Sequence, residues 1–318
     1  MQSLPPGMSD TYKLNTLSPR DSSKNIIITR STQKRLICDL RDLMRNPLAD
    51  QGIYYSHDDN NMLKGYALII GPSDTPYMDG FYLFEVEIPY NYPFAPPKLK
   101  FVTQGDNVRF NPNLYRNGKV CLSILNTWKG EQWTSCQTLR TVLLTLTTIL
   151  NKKPILNEPG VTEKHQDFKS YHEIIEFKNY EIAINGIVNQ TKLPHAFFDF
   201  HPIMKKHFKE NYKSIITRID KKIHEHAKGE ITRGCYLFGM RKIKMNYSNL
   251  KKDLQATMSA LRGGGGAAGR PTTPTAAEWL QAHPDATAAA DMTAFAAEAA
   301  KEAVDAAAAD ALNEYISV

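Results

Sequence analysis

Residues 111–125, NPNLYRNGKVCLSIL, place a cysteine eight residues after an Asn-Pro-Asn turn, inside a short apolar segment. Pro112 has a fixed φ and favours an extended conformation for the residue before it, and the Asn-Gly pair at 117–118 favours a tight turn. The chain therefore folds back, which can bring the carboxamide of Asn113 near the sulfur of Cys121. A thiol beside an amide N–H donor is a minimal acyl-transfer site. The alternative is a small cysteine that is simply buried after a loop.

This segment resembles the active-site segment of ubiquitin-conjugating enzymes, in which a His-Pro-Asn turn leads by the same spacing to the cysteine that carries ubiquitin as a thioester. Asn113 and Cys121 stand where the family has its asparagine and cysteine, whereas Asn111 replaces the histidine. The family places an acid or polar pair facing the cysteine, and Asn157 and Glu158 occupy that region. A negative neighbourhood helps aminolysis because lysine is almost fully protonated near neutral pH. The alternative for Glu158 is a solvated loop carboxylate.

Length and composition are those of a globular protein with a sizeable core: 318 residues, 42% hydrophobic and 23% charged. No apolar run approaches the roughly 20 residues that a membrane span needs, and residues 1–25 lack the pattern of a secretory signal. The four cysteines are scattered and have no zinc-ligand spacing, so we expect no metal site. Free thiols fit an intracellular, cytoplasmic or nuclear location.

The net charge of +6 is unevenly distributed. Residues 271–318 hold one basic and eight acidic residues, which leaves +13 for the preceding 270 residues. Lysines concentrate between residues 205 and 252, but no nucleic-acid-binding motif accompanies them. We therefore interpret them as a solvated helical face and expect neither nucleic acid nor membrane as a partner.

The segments before the cysteine predict one helix and an antiparallel meander. Residues 31–46 carry an apolar stripe at helical spacing, with Ser31 and Thr32 as candidate caps. Strands are predicted at 65–70, near 82–88, where apolar and polar residues alternate as in a half-buried strand, and at 99–102. The helix also resembles the family's first helix, whose basic face meets the activating enzyme. The resemblance implies that contact for Lys34 and Arg35.

The resemblance also implies positions for a ligase contact and for an active-site lid. Phe94, in the proline-rich segment YPFAPPK, aligns with a loop residue that the family presents to ligases. Ser135 and Cys136 occupy the second ligase loop, where the family's Ser-Pro-Ala is altered. Trp128 and Trp133 flank a loop after the cysteine and are candidate lid residues. Each of these aromatic rings can alternatively be a packed core residue.

Beyond the cysteine, the segment TVLLTLTTIL is rich in β-branched residues, but residues 138–150 follow helical spacing and predict a buried central helix. Further helices are predicted at 165–189 and 196–228. The fold class is therefore α+β: the ubiquitin-conjugating fold with an N-terminal helix, an antiparallel meander sheet, a central buried helix and C-terminal helices. The Asn-Pro-Asn turn, the tryptophan-flanked insert and the sequence NEPG together resemble one branch of the family, which contains the Z-type conjugating enzymes and the conjugating domain of the giant inhibitor-of-apoptosis protein.

The predicted domain organisation has five parts. It comprises a flexible arm (1–30), a conjugating core with a helical C-terminal extension (31–228), an extension of unknown role (229–262), a Gly/Ala/Pro-rich linker (263–275) and an alanine-rich acidic helical tail (276–318). The tail is expected to be able to fold back on the basic face. The sequence LRGG at 261–264 matches the end of ubiquitin, but the glycines and alanines that follow it favour a linker.

The leading hypothesis is a ubiquitin-conjugating enzyme that loads ubiquitin on Cys121 and passes it to a substrate lysine or a ligase cysteine. Its partners would be ubiquitin, an activating enzyme, a ubiquitin ligase and protein substrates, and it would need no cofactor of its own. Two alternatives keep the fold: a conjugating enzyme for a ubiquitin-like modifier, and a non-catalytic variant that binds ubiquitin or a ligase. A cysteine hydrolase would need a histidine base, and residues 58–164 contain no histidine.

Overall fold

The computed structural model describes residues 13–14, 26–226 and 229–263. The flexible arm, apart from its last residues and Lys13–Leu14, lies outside this part of the chain. The linker beyond residue 263 and the acidic helical tail also lie outside it. The elements are β1 (Lys13–Leu14), β2 (Ile26–Ile27), α1 (Arg30–Arg45), β3 (Ile53–His57), β4 (Lys64–Ile70), β5 (Phe81–Glu87), β6 (Lys98–Phe101), α2 (Leu139–Ile149), α3 (Phe168–Lys178), α4 (His201–Glu225), β7 (Glu230–Cys235), β8 (Met240–Asn246) and α5 (Tyr247–Gly263).

Helix α1 begins one residue earlier than predicted, because its cap is Thr29 and not Ser31 or Thr32. The Thr29 side chain accepts a hydrogen bond from the Thr32 backbone N–H at 3.1 Å. Asp39 on this helix is buried, and its carboxylate accepts from the backbone N–H of Leu139 at 3.1 Å and from the hydroxyl of Tyr92. Asp39 therefore ties α1 to the first residue of α2 and to the proline-rich loop.

The main sheet is an antiparallel meander in the order β3-β4-β5-β6, which confirms the predicted α+β class. Strand β5 was predicted to be half-buried, and this was wrong for its first half: Phe81 and Leu83 on one face are as buried as Tyr82 and Phe84 on the other. Residues 195–208, a short 3₁₀ helix and the start of α4, cover the second face, where the ring of His207 lies 5.8 Å from that of Phe81. A strand covered on both faces loses its alternating pattern.

Helix α2 forms as predicted from the segment rich in β-branched residues. Thr138 and Thr141 make a capping box at its start, and Leu139, Val142, Leu143, Leu146 and Ile149 form a buried face. Burial of five apolar side chains outweighs the weak helix propensity of the threonines. The buried face of the helix belongs to the same hydrophobic core as the sheet. The helix ends next to the loop that carries Asn157.

The C-terminal helices close the fold. Helix α3 runs on into a π-helical segment, Asn179–Gly186, and α4 is fixed to the β4–β5 turn through Asp79. The buried carboxylate of Asp79 accepts hydrogen bonds from His207 Nε2 at 2.9 Å and from the Arg218 guanidinium. Burial by itself raises the pKa of Asp79, but the hydrogen bonds and the electrostatic attraction of His207 and Arg218 together outweigh it and hold that pKa below its ordinary value.

Residues 229–263, in which the sequence showed no motif, form the β7–β8 hairpin and α5. Their apolar side chains, among them Cys235, Met245 and Leu254, are buried in the same hydrophobic cluster as the sheet. The division of the chain near residue 228 stays a prediction. Leu261 and Arg262 lie in the last turn of α5, so the start of LRGG is helical here. No helix in the described ranges has both the length and the apolar character to cross a bilayer.

Candidate active site

Cys121 lies in an extended segment that pairs with the Asn-Pro-Asn loop. Isolated bridges join Leu114 to Val120 and Lys100 to Lys119, so the chain does fold back after the turn. Gly118 in that turn has a φ of 89°, a conformation that glycine adopts without strain. The backbone N–H of Cys121 donates to the carbonyl of Asn113 at 2.9 Å. The residue is only 2% exposed.

The side chain of Asn113 completes a two-way link with Cys121. Its Nδ2 donates to the backbone carbonyl of Cys121 at 2.8 Å. From the sequence, the carboxamide was predicted to lie near the sulfur of Cys121 instead. Its Oδ1 is buried and has no hydrogen-bond partner among the residues described. The carboxamide therefore fixes the cysteine segment against the loop and keeps one polar atom unused.

Asn111, at the position of the family's histidine, is fully buried, and its side chain makes four hydrogen bonds. Its Nδ2 donates to the Tyr77 hydroxyl at 2.8 Å and to the carbonyl of Ile149 at 2.7 Å. Its Oδ1 accepts from the Asn113 backbone N–H at 2.9 Å and from Asn157 Nδ2 at 3.4 Å. Burial raises the pKa of Tyr77 far above its ordinary value, so the hydroxyl stays neutral. Asn111 thus joins the loop to the end of α2 and to the loop of Asn157.

Asn157 and Glu158 have different environments. Asn157 belongs to the network, because its Oδ1 also accepts from Asn151 Nδ2 at 2.8 Å. Glu158 follows the 3₁₀ helix Pro154–Asn157 and is partly exposed. Within the described part of the chain, its carboxylate makes neither a hydrogen bond nor an ion pair, so the negative charge is available to a ligand.

Thr127 and Arg109 support the site but were not identified from the sequence. The Thr127 hydroxyl accepts from the Leu122 backbone N–H at 2.9 Å and donates to the Val120 carbonyl at 2.8 Å, so it fixes both neighbours of the cysteine. Arg109 Nη2 donates to the carbonyl of Pro112 at 2.6 Å. A threonine and an arginine beside a turn are too common to signal these contacts.

The two candidates for the activating-enzyme contact differ in availability. Lys34 is exposed, whereas the Arg35 side chain is 13% exposed and already has partners. The Arg35 guanidinium pairs with Asp39 and donates to the Ser135 carbonyl at 2.6 Å. Arg35 therefore connects α1 to the loop before α2, and Lys34 is the residue of this pair whose charge is exposed. The enzyme contact itself stays a prediction for both.

The predicted ligase-contact and lid residues lie on two adjoining loops. Phe94 is 50% exposed and Trp128 is 40% exposed, whereas Trp133 is buried. Trp133 Nε1 donates to the Pro93 carbonyl at 2.6 Å, so its ring braces the proline-rich loop against the loop after the cysteine. Cys136 is an exposed free thiol, and Ser135 is partly exposed. Both roles stay predictions; Phe94 and Trp128 have the exposure that they require.

A cysteine hydrolase would need a histidine base beside Cys121. No histidine in the described ranges hydrogen-bonds to the Cys121 sulfur; His57, the nearest in sequence before it, instead bonds the Tyr55 hydroxyl and the Met62 carbonyl. The structure joins Cys121 to Asn113 by two hydrogen bonds and, through Asn111, to the loop of Asn157, which Glu158 follows. This set suits acyl exchange with an external nucleophile better than hydrolysis.

Residues 35–180 match the family described as ubiquitin-conjugating enzyme. The chain is similar to ubiquitin-conjugating enzyme E2 Z of Danio rerio, with 36% identity over 232 residues, which are 72% of this chain and 68% of the relative. The human protein of that name is 40% identical over 181 residues, 56% of this chain and 50% of the relative. The human dual E2 ubiquitin-conjugating enzyme/E3 ubiquitin-protein ligase BIRC6 is 48% identical over 99 residues, 29% of this chain and 2% of that protein. These matches confirm the resemblance predicted from the sequence, including the branch of Z-type enzymes and of the conjugating domain of the giant inhibitor-of-apoptosis protein.

Proposed function

The chain belongs to the ubiquitin-conjugating enzyme family, and on that premise we propose that it carries ubiquitin as a thioester on Cys121. It then transfers ubiquitin to a lysine of a protein substrate or to a cysteine of a ligase. The observation that carries the proposal is the reciprocal pair of hydrogen bonds between Cys121 and Asn113, at the family's spacing. The chain spans between half and about two thirds of the E2 Z relatives, so activity and partners are proposed for this part alone.

Loading is a thioester exchange. The Cys121 thiolate attacks the carbonyl carbon of the ubiquitin terminus, which is held as a thioester on the activating enzyme, and the activating enzyme's cysteine leaves as a thiolate that takes up a proton. Cys121 is only 2% exposed. The segment that Thr127 holds by hydrogen bonds therefore has to shift slightly before the carbonyl carbon of ubiquitin can reach the Cys121 sulfur. The exposed Lys34 on α1 is the proposed contact with the activating enzyme.

Transfer is an aminolysis or a second thioester exchange. A neutral lysine amine attacks the thioester carbon, the C–N bond forms, Cys121 leaves as a thiolate, and the amine loses a proton. The unpaired Glu158 carboxylate favours binding of the lysine ammonium and the removal of its proton. Asn113 keeps the cysteine segment in register, since its Nδ2 is bonded to the Cys121 carbonyl. Phe94 is the proposed ligase contact.

The purified chain, incubated with activating enzyme, ATP and ubiquitin, is expected to give an adduct that is visible on a non-reducing gel and disappears with reductant. If the chain forms an adduct only with a ubiquitin-like modifier, that modifier replaces ubiquitin as the proposed cargo. If no modifier forms an adduct while ubiquitin still binds, the non-catalytic alternative replaces the proposal.

The substitution Glu158→Gln is expected to slow discharge of the loaded enzyme by free lysine roughly tenfold, with little effect on loading. This is less than the roughly 10²–10⁴-fold loss expected when a direct general base is removed. The change removes the charge and keeps the shape, so only the step that involves the cationic amine is affected. Single-turnover discharge assays measure it, with Glu131→Gln, another exposed loop acid, as the control. Equal slowing of loading and discharge would remove Glu158 from the transfer step.

A further inference from the structure

The tip of the β7–β8 hairpin packs on the loop that carries the Asn-Pro-Asn turn. Phe238 at this tip is 8% exposed, and its ring centroid lies 5.2 Å from that of Tyr171 on α3 and 5.3 Å from the guanidinium carbon of Arg109. The neighbouring Tyr236 is 72% exposed. The hairpin therefore directs one aromatic ring into the protein, against an arginine of the active-site loop.

Arg109 lies between two rings and holds the turn. Its guanidinium carbon is 3.6 Å from the centroid of Tyr115, with Phe238 also within the 6 Å range of a cation–π contact. Its Nε donates to the carbonyl of Asn111 at 3.2 Å, and its Nη2 donates to that of Pro112 at 2.6 Å. The orientation of the guanidinium thus decides where two successive carbonyls of the Asn-Pro-Asn turn lie.

Two further contacts fix the hairpin tip in place. Arg116, in the same active-site loop, donates through Nη2 to the carbonyl of Phe238 and through Nε to that of Asn107 at 2.7 Å. The backbone N–H of Leu237 donates to the carboxylate of Asp167, which is 3% exposed, at 2.8 Å. The tip is therefore bonded both to the loop that it supports and to the residue before α3.

We propose that Phe238 is a positioning residue: it holds Arg109 against Tyr115, and Arg109 holds the Asn-Pro-Asn turn in the orientation in which Asn113 bonds Cys121. This inference rests on the proposed thioester chemistry at Cys121. The supporting hairpin lies at residues 230–246, beyond the residues 35–180 that match the family. An element outside the common domain thus takes part in ordering the active site, and Phe238 does so without touching the reacting atoms.

The test compares Phe238→Ala with Tyr236→Ala, an aromatic truncation at the exposed position of the same tip. In the full chain, Phe238→Ala is expected to lower the maximal rate of thioester loading about tenfold, because displacement of catalytic groups by even about 1 Å is costly. The concentration of charged activating enzyme at half-maximal rate should stay within about twofold, since α1 is unchanged. Phe238→Tyr, which keeps the ring, should restore the rate, and Tyr236→Ala should load like the wild type.

Amide hydrogen exchange gives a second readout that does not depend on activity. Peptides covering residues 107–122 should exchange faster in Phe238→Ala than in Tyr236→Ala, because the turn has lost its support. Phe238→Leu, which removes the ring and keeps an apolar side chain in the core, should reproduce both effects if Phe238→Ala does not fold. Unchanged loading and unchanged exchange in folded variants would overturn the inference. A wild-type chain that forms no thioester would count against the proposed function, while the exchange comparison would still decide whether Phe238 orders the loop.

Discussion

Replacing Cys121 with serine is expected to abolish the reductant-sensitive ubiquitin adduct and to leave either a reductant-stable ester or no adduct. A serine hydroxyl is far harder to deprotonate than a thiol, and no histidine in the described ranges hydrogen-bonds to this position to act as its base. An oxygen ester, once formed, resists thiol reductants. Loading reactions run on paired reducing and non-reducing gels measure the change, and because the effect is all-or-none it is the largest expected for this chain.

The other thiols determine how this result is interpreted. Cys136 is exposed, whereas Cys235 is buried, and burial raises the pKa of its thiol to about 11. An adduct that survives in Cys121→Ser and disappears in Cys136→Ser would move the nucleophile to the loop before α2. That outcome would overturn the assignment of Cys121, and with it the roles proposed for Asn113 and Glu158. Thermal melting of Cys121→Ser, compared with the wild type, shows whether a lost adduct reflects chemistry or unfolding.

Local patterns were sufficient to predict most of the fold. The apolar periods of α1 and α2, the order of the meander and the tight turn at 117–118 depend on residues that are close in sequence. The approach of Asn113 to Cys121 was predicted for the same reason, since eight residues and one tight turn determine it. Helix α2 shows the limit of propensity, because a chain rich in threonine is helical where its apolar side chains share one buried face.

Contacts between distant segments could not be predicted in this way. The two-sided burial of β5 depends on α4, more than a hundred residues later, and the support of Arg109 depends on Phe238. The sequence of residues 81–87 does not predict which helix covers their second face. The same limit applied to Arg35, whose basic character suggested an external partner, although its donors are used within the chain.

Asn111 shows both what the sequence predicts and what it does not. The sequence shows that Asn111 replaces the family's histidine, but it does not predict the four hydrogen bonds of the side chain. Three loops meet at this side chain: the active-site loop, the turn containing Tyr77 and the loop of Asn157. A carboxamide suits the position because it donates to the Ile149 carbonyl on one side and accepts from the Asn113 N–H on the other. A carboxylate can do only the second.

The substitution Asn111→Asp is therefore expected to lower the free energy of unfolding by about 3–5 kcal/mol at neutral pH, and the melting temperature by roughly 10 °C. It places an unpaired negative charge against the Ile149 carbonyl in a site that is 0% exposed. Asn117→Asp is the matched control, since Asn117 is exposed and its Oδ1 accepts from the Lys119 N–H, which a carboxylate retains. Thermal melts of both variants and the wild type measure the difference.

The pH dependence of this deficit separates buried charge from a simple loss of shape. Burial raises the pKa of an introduced carboxyl above the value of about 3.9 that it has in the unfolded chain. The deficit of Asn111→Asp should therefore be smallest below about pH 4, where the group is protonated in both states, and should grow as pH rises through the elevated pKa. A deficit that does not vary with pH, or a melting temperature within about 2 °C of that of Asn117→Asp, would contradict the hydrogen bonds assigned to Asn111. Thioester loading by the variant should also fall, because the lost bond to the Ile149 carbonyl no longer fixes the active-site loop against the end of α2.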